Sequence, residues 1–153
     1  MYKRILVPLD ESRIAKTGFD EAIKLAKDQS AELCLLHVLD NAPVIQSVGV
    51  HPSGIEQIID AAKTGGKKLL AKAETRARKH RIPVKTILFE TNAQEIAAVI
   101  AGQARKYRAD LIVIGTHGRQ GVSRLVMGSD AESVVRESTV PVLMVRSKAR
   151  DTS

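Results

Sequence analysis

Tryptophan is absent from the chain, and its aromatic residues are limited to Tyr2, Phe19, Phe89 and Tyr107. So small a set argues against a base-stacking platform for single-stranded nucleic acid, which uses several ring faces in succession. Cysteine occurs once, at Cys34, so no intrachain disulfide can form and a reducing cytoplasmic setting is expected. No apolar run approaches the ~20 residues that span a bilayer, so no membrane association is expected. Met1-Tyr2-Lys3-Arg4-Ile5 leads straight into a strand-like segment, without the apolar stretch of a signal peptide. Metal-ligand spacing is missing as well. His37, His51, His80 and His117 lie far apart, with no His-Glu-x-x-His and no cysteine pair, so no protein metal site is expected.

What is present is ordinary for one soluble domain: 153 residues, 44% hydrophobic and 27% charged. The expected domain covers 1–147, and 148–153 read as a polar tail. Basic residues outnumber acidic ones, 24 to 17, for a net charge of +7. The excess is local. From Lys63 to Lys85 there are nine basic residues against a single acid, Glu74. Such a stretch could attract a polyanion, but a solvated helix face is the simpler account, and nucleic acid is not an expected partner.

Five short, nearly continuous apolar runs, at 4–9, 32–38, 84–89, 110–114 and 141–145, suit strands covered on both faces. Helical periodicities separate them. Ala15, Phe19, Ala22, Ile23 and Ala26 share one face. A longer set runs from Ile55 to Ala77, where Gly65-Gly66 could kink the helix. Two further sets are Ile96, Val99, Ile100, Ala104, Tyr107 and Ala131, Val134, Val135, Ser138. Segment 39–52, with Pro43, Gly49 and Pro52, reads as a loop. Strands alternating with helices predict an α/β fold, a doubly wound three-layer sandwich around a parallel sheet.

Ligands of such sheets bind beyond the carboxyl ends of the strands, where the strand order reverses. Pro8-Leu9-Asp10-Glu11-Ser12 follows the first strand. The richest segment follows the fourth: Gly115-Thr116-His117-Gly118-Arg119, then Gly121 and Ser123, closing on Gly128-Ser129-Asp130. Glycines let the backbone approach a ligand, and free N–H groups of a loop and of a helix N-terminus favour phosphate. Arg119 and Arg124 add cationic donors. Neither Gly-x-Gly-x-x-Gly nor a Gly-Lys-Ser/Thr ending is present, so the dinucleotide and Walker cradles are excluded. Gly66-Lys67 is no substitute, because it falls inside a helical pattern.

Gly115, two residues, Gly118, nine residues and Gly128-Ser129 form a spacing that resembles the nucleotide-binding signature of the universal stress protein family. The likeness extends to Ile5-Leu6-Val7-Pro8-Leu9-Asp10, Leu36-His37-Val38, residues 110–119 and Val140-Pro141-Val142-Leu143-Met144-Val145. It implies a five-stranded parallel sheet in the order 3-2-1-4-5 with ATP between the first and fourth strands. By position, adenine would lie near Pro8, Leu9 and the backbone of Val38, and Asp10 near the ribose. Gly115, Thr116, His117, Gly118, Arg119 and Gly121 would face ribose and phosphates, and Gly128, Ser129 and Asp130 the phosphate tail. Mg²⁺ would ride on those phosphates. ADP and AMP stand as alternatives to ATP. Asp130 occupies a place where many ATP-binding relatives have an apolar or hydroxyl residue. Its carboxylate would repel triphosphate if turned inward, whereas its backbone N–H could still serve with the side chain in water. The family also implies an isologous homodimer through the fifth strand.

Some of these residues have a plainer role available. Ser129-x-x-Glu132 is a capping box, Asp10 or Ser12 could cap the first helix, and His117 could be a loop residue in solvent. Cys34 reads as a small buried hydrophobe. No general base accompanies the glycine loop, so no catalytic residue is assigned. The expected function is that of a stress-response regulator whose occupancy by ATP changes its conformation or its unidentified protein partner. A nucleotide-free interaction module is one alternative. A slow ATPase or autokinase, with Thr116, Ser123 or Ser129 as acceptor, is another. A phosphoryl-accepting receiver domain is excluded, because the third strand ends Phe89-Glu90-Thr91 without aspartate and Arg146 stands where a lysine is needed.

Overall fold

Five strands are connected by five α-helices, two of them between the second and third strands, in a computed structural model that describes residues 1–47, 52–117 and 129–147. They are β1 (Arg4–Pro8), α1 (Arg13–Gln29), β2 (Glu32–Asp40), α2 (Ala42–Ser47), α3 (Ile55–Lys79), β3 (Val84–Thr91), α4 (Ile96–Tyr107), β4 (Leu111–Thr116), α5 (Ser129–Glu137) and β5 (Val142–Arg146). The strands form one sheet in the order β3-β2-β1-β4-β5, every neighbouring pair parallel. Fold class and strand order are those expected.

The alternation of side chains along the central strands divides the interior in two. Ile5, Val7, Leu33, Leu35, Leu111 and Val113 face α1 and α3, meeting Phe19, Ile23, Leu70, Ala73 and Ala77. Leu6, Cys34, Leu36, Ile112 and Ile114 face the other way, onto Ala97, Ile100 and Ala104 of α4 and Ala131 and Val134 of α5. Each fully buried large aliphatic side chain contributes roughly 1.5–3 kcal/mol. Both faces of the middle strands are therefore covered, which is why they read as unbroken apolar runs. β5 is an outer strand, and Leu143 and Met144 remain 38% and 37% exposed on it.

Two local expectations are corrected. Within the segment read as a loop, residues 42–47 form α2, a single short helix with no buried residue. Its start is fixed by Asp40, whose Oδ1 accepts from the Ala42 N–H at 3.0 Å. Nor do Gly65 and Gly66 break α3, which runs unbroken from Ile55 to Lys79. A Cβ at Gly66 would come within 2.7 Å of His37 Cδ2 and 3.0 Å of Leu88 Cδ1. Glycine there lets the helix lie directly on the sheet, and that packing offsets a propensity loss of about 1 kcal/mol.

Candidate functional site

From β1 the chain proceeds to β2 on one side of the sheet, whereas β4 lies against β1 on the other, so the order reverses between β1 and β4. At the carboxyl ends of these two strands is a cavity of about 320 Å³. That is the lower end of the ~300–1,000 Å³ typical of small-molecule sites. Its floor and walls are apolar, from Leu36 and Val38 of β2, Ile96 and Ile100 of α4, and Ile114 of β4. Polar groups gather at the rim, where Asp10, Ser12 and Asp130 surround the starts of α1 and α5. Both helix N-termini direct partial positive charge toward this opening.

Pro8, Leu9, Asp10, Val38, Gly115, Thr116, His117 and Asp130, all singled out from the sequence, line this one cavity. Thr116 is buried, whereas Asp10, His117 and Asp130 are exposed. Gly118, Arg119, Gly121 and Gly128 lie outside the described residues, as does Ser123. Ser129 is the first residue of α5. Among the described residues no group of three or more His, Cys, Asp and Glu side chains could hold a metal ion. No helix there is long and apolar enough to cross a membrane.

Several of these residues have an observable structural duty. Capping of α1 belongs to Ser12, whose Oγ accepts from the Ala15 N–H at 3.1 Å. Asp10 holds the turn before it, its Oδ1 accepting from the Ser12 N–H at 2.7 Å. Gly115, expected to open a ligand-binding loop, is the penultimate residue of β4. A Cβ on it would run into the carbonyl oxygen of Ile14, and a Cβ on Gly18 would lie 2.7 Å from the Gly115 nitrogen. The glycine at 115 therefore seats α1 against the end of β4.

The main chain of Val38 comes from the register. Glu32 donates its N–H to the Lys3 carbonyl, and Leu36 accepts from the Leu9 N–H at 2.8 Å. Even-numbered residues of β2 thus turn their peptide groups toward β1, and odd-numbered ones toward β3, as Leu33 does in donating to Pro83. Val38 is the next even residue, but pairing with β1 ends at Pro8 opposite Leu36. Its N–H and C=O consequently have no β1 partner among the described residues, and Val38 lines the cavity, so a donor and an acceptor stand side by side on an apolar floor. The neighbouring His37 was read in the sequence as a strand residue within the family likeness and weighed as a metal ligand, with no role of its own at the cavity. Its Nδ1 lies 2.7 Å from the Leu9 carbonyl oxygen.

Residues 1–146 match the family model described as the universal stress protein family. The chain belongs to that family. A universal stress protein of Methanocaldococcus jannaschii is 33% identical over 99% of this chain and 86% of its own length. One from Bacillus subtilis is 34% identical over 95% of this chain and all of its own. A solved family member from Burkholderia pseudomallei superposes with a TM-score of 0.74 at 32% identity, covering 94% of this chain and 96% of its own. More distant members share the fold. They include one from Arabidopsis thaliana with AMP bound, at TM-score 0.70, 18% identity and 99% and 95% coverage. Another is from Archaeoglobus fulgidus in complex with dAMP, at TM-score 0.65, 23% identity and 94% and 98% coverage.

Proposed function

We propose that the cavity between β1 and β4 binds an adenine nucleotide and that its occupancy is the regulatory signal of a cytoplasmic stress-response protein. The observation that carries this is that pairing with β1 ends before Val38, which leaves its N–H and C=O without a strand partner beside apolar walls at the point where strand order reverses. An N–H and a C=O side by side match N1 and the N6 amine of adenine, and Leu36, Ile96, Ile100 and Ile114 suit the faces of a purine. Asp10 would then lie by the ribose, with Thr116 and His117 leading toward the phosphates. Residues 118–128 and the start of α5 would take the phosphates themselves, with Mg²⁺ carried on the nucleotide. Adenine nucleotides bound to family members of the same fold agree with this assignment.

Asp130 favours a short phosphate tail. It is exposed on the rim at the first turn of α5, where a carboxylate complements the helix but repels a third phosphate. Pairing of two copies through β5, with its exposed Leu143 and Met144, completes the proposal. A protein partner would then sense the dimer with its cavity filled or empty.

Calorimetric titration of nucleotide-stripped protein with AMP and ATP, with and without Mg²⁺, tests the assignment. Micromolar binding that is lost in a folded Gly118→Val, Gly128→Val double variant is the expected result. A folded wild type that binds neither nucleotide would leave an interaction module instead.

A further inference from the structure

We propose that His37 is a positioning residue that keeps the main-chain edge of Val38 open for the base, an inference that rests on the nucleotide assignment above. In a parallel ladder the carbonyl of Leu9 is the natural acceptor for the Val38 N–H, in the way that the Lys3 carbonyl takes the N–H of Glu32. The ladder stops one step short of that bond, at Pro8 opposite Leu36, although Leu9 still donates its own N–H to Leu36. The Leu9 carbonyl is instead engaged by His37 at 2.7 Å. A carbonyl oxygen only accepts, so Nδ1 carries the proton and donates. The imidazole draws the carbonyl toward the α1 and α3 face of the sheet, away from Val38, whose side chain belongs to the opposite face.

The ring is itself held. Gly66 of α3 leaves room for it, and a Cβ there would meet both Cδ2 and Nε2 of His37, at 2.7 and 3.2 Å. Three elements thus converge on one peptide group: α3 sets the ring, the ring sets the Leu9 carbonyl, and the carbonyl's departure frees the Val38 N–H. The presence of glycine at 66, in a helix that it disfavours, has its explanation here. His37 never touches the nucleotide in this scheme.

Hydrogen exchange of the Val38 amide, followed by NMR in ligand-free protein, reads the device without any nucleotide. The wild-type amide is expected to exchange at least tenfold faster than that of Leu36. His37→Leu and Gly66→Ala should each slow it about tenfold as the ladder closes onto Leu9, and His37→Asn, whose amide can replace the Nδ1 donor, should not. Affinity for AMP relative to its 1-deaza analogue, which lacks the N1 acceptor, should be about tenfold in the wild type and near one in His37→Leu. A merely structural lesion would weaken both ligands alike and leave that ratio unchanged.

A Val38 amide as protected as Leu36 in the wild type overturns the proposal, with no variant required. So does an unchanged exchange rate in a folded Gly66→Ala or His37→Leu protein, or failure of His37→Asn to keep wild-type exchange. Slowed exchange in the variants together with no AMP binding by the wild type would uphold the open edge and overturn the base it is assigned to.

Discussion

At the amino-terminal end of the sheet polar groups are tied to one another. Tyr107 donates its hydroxyl to Glu32 at 2.7 Å, Arg4 pairs with the same carboxylate at 3.3 Å, and Asp110 accepts from the N–H groups of Lys3 and Arg4 at 2.8 and 3.1 Å. Arg4 and Lys85 flank the Tyr107 ring at 6.0 and 5.9 Å. Around the cavity at the opposite end, the Val38 peptide has no partner on β1 and Asp130 stands in solvent at the start of α5, while Asp10, also exposed, keeps its turn bond to the Ser12 N–H. The same strands supply both ends. Groups already paired stabilise, whereas groups left open at a concave surface are available to a ligand. Changes at the base should therefore alter stability alone, and changes around the cavity should alter binding.

Gly115→Ala would blur the distinction most. Its new methyl group meets the main chain of Ile14, so α1 and the end of β4 must part. We expect a loss of about 3 kcal/mol and a melting temperature about 10 °C lower. AMP binding should fall with it, and a thermal melt beside a titration checks both. Cys34 sharpens the comparison through pH. Burial, first, pushes its thiol up from an ordinary value near 9 to about 12. The unfolded chain therefore gives up this proton at lower pH than the folded one, and stability falls as pH rises above 9. The slope from this group is at most ~1.4 kcal/mol per pH unit. Urea melts at pH 8 and 10 should show the loss, reduced in Cys34→Ala. Tyr107, raised by burial and by its bond to Glu32, adds its share at still higher pH.

Tyr107→Phe isolates the base. Loss of one hydrogen bond should cost about 1 kcal/mol and leave AMP affinity unchanged, so a weaker affinity would mean that the two ends are not separate. Asp130→Asn is the smallest and most local change. Removing an exposed rim carboxylate should improve ATP affinity about threefold over AMP at low salt, with the gain fading as salt screens it. Equal effects on the two nucleotides would place the phosphates elsewhere.

Much of this was legible from periodicity, because helices and strands that cover a core must repeat every 3.6 or 2 residues. Ala15, Phe19, Ala22, Ile23 and Ala26 are all buried on α1 as their spacing requires. Helix α2 was not legible because it buries nothing, and a helix without an apolar face leaves no period to read. Gly66 misled for a related reason: its helix penalty is local, while its partner, His37, is 29 residues away in the chain and adjacent only in the fold. At the cavity Pro8, Leu9, Asp10, Val38, Gly115, Thr116, His117 and Asp130 were named from chemistry and resemblance. The apolar walls from Leu36, Ile96, Ile100 and Ile114 were not singled out as site residues, because a wall residue and a core residue have the same pattern in sequence. The open peptide of Val38 was not legible either, since it depends on where β1 stops relative to β2. Side-chain patterns carry no record of that offset, although the residue itself was named from the family likeness.

Val38 presents its N–H and C=O whatever side chain it carries, provided that it is not proline. Mutational drift at this position can reshape the floor of the cavity while the pair of groups at its edge persists. What such drift leaves untouched is a difference in length between two neighbouring strands, five residues in β1 and nine in β2. Under the proposed function, the edge that meets the base is then set by an offset of backbone and not by the identity of the residues around it.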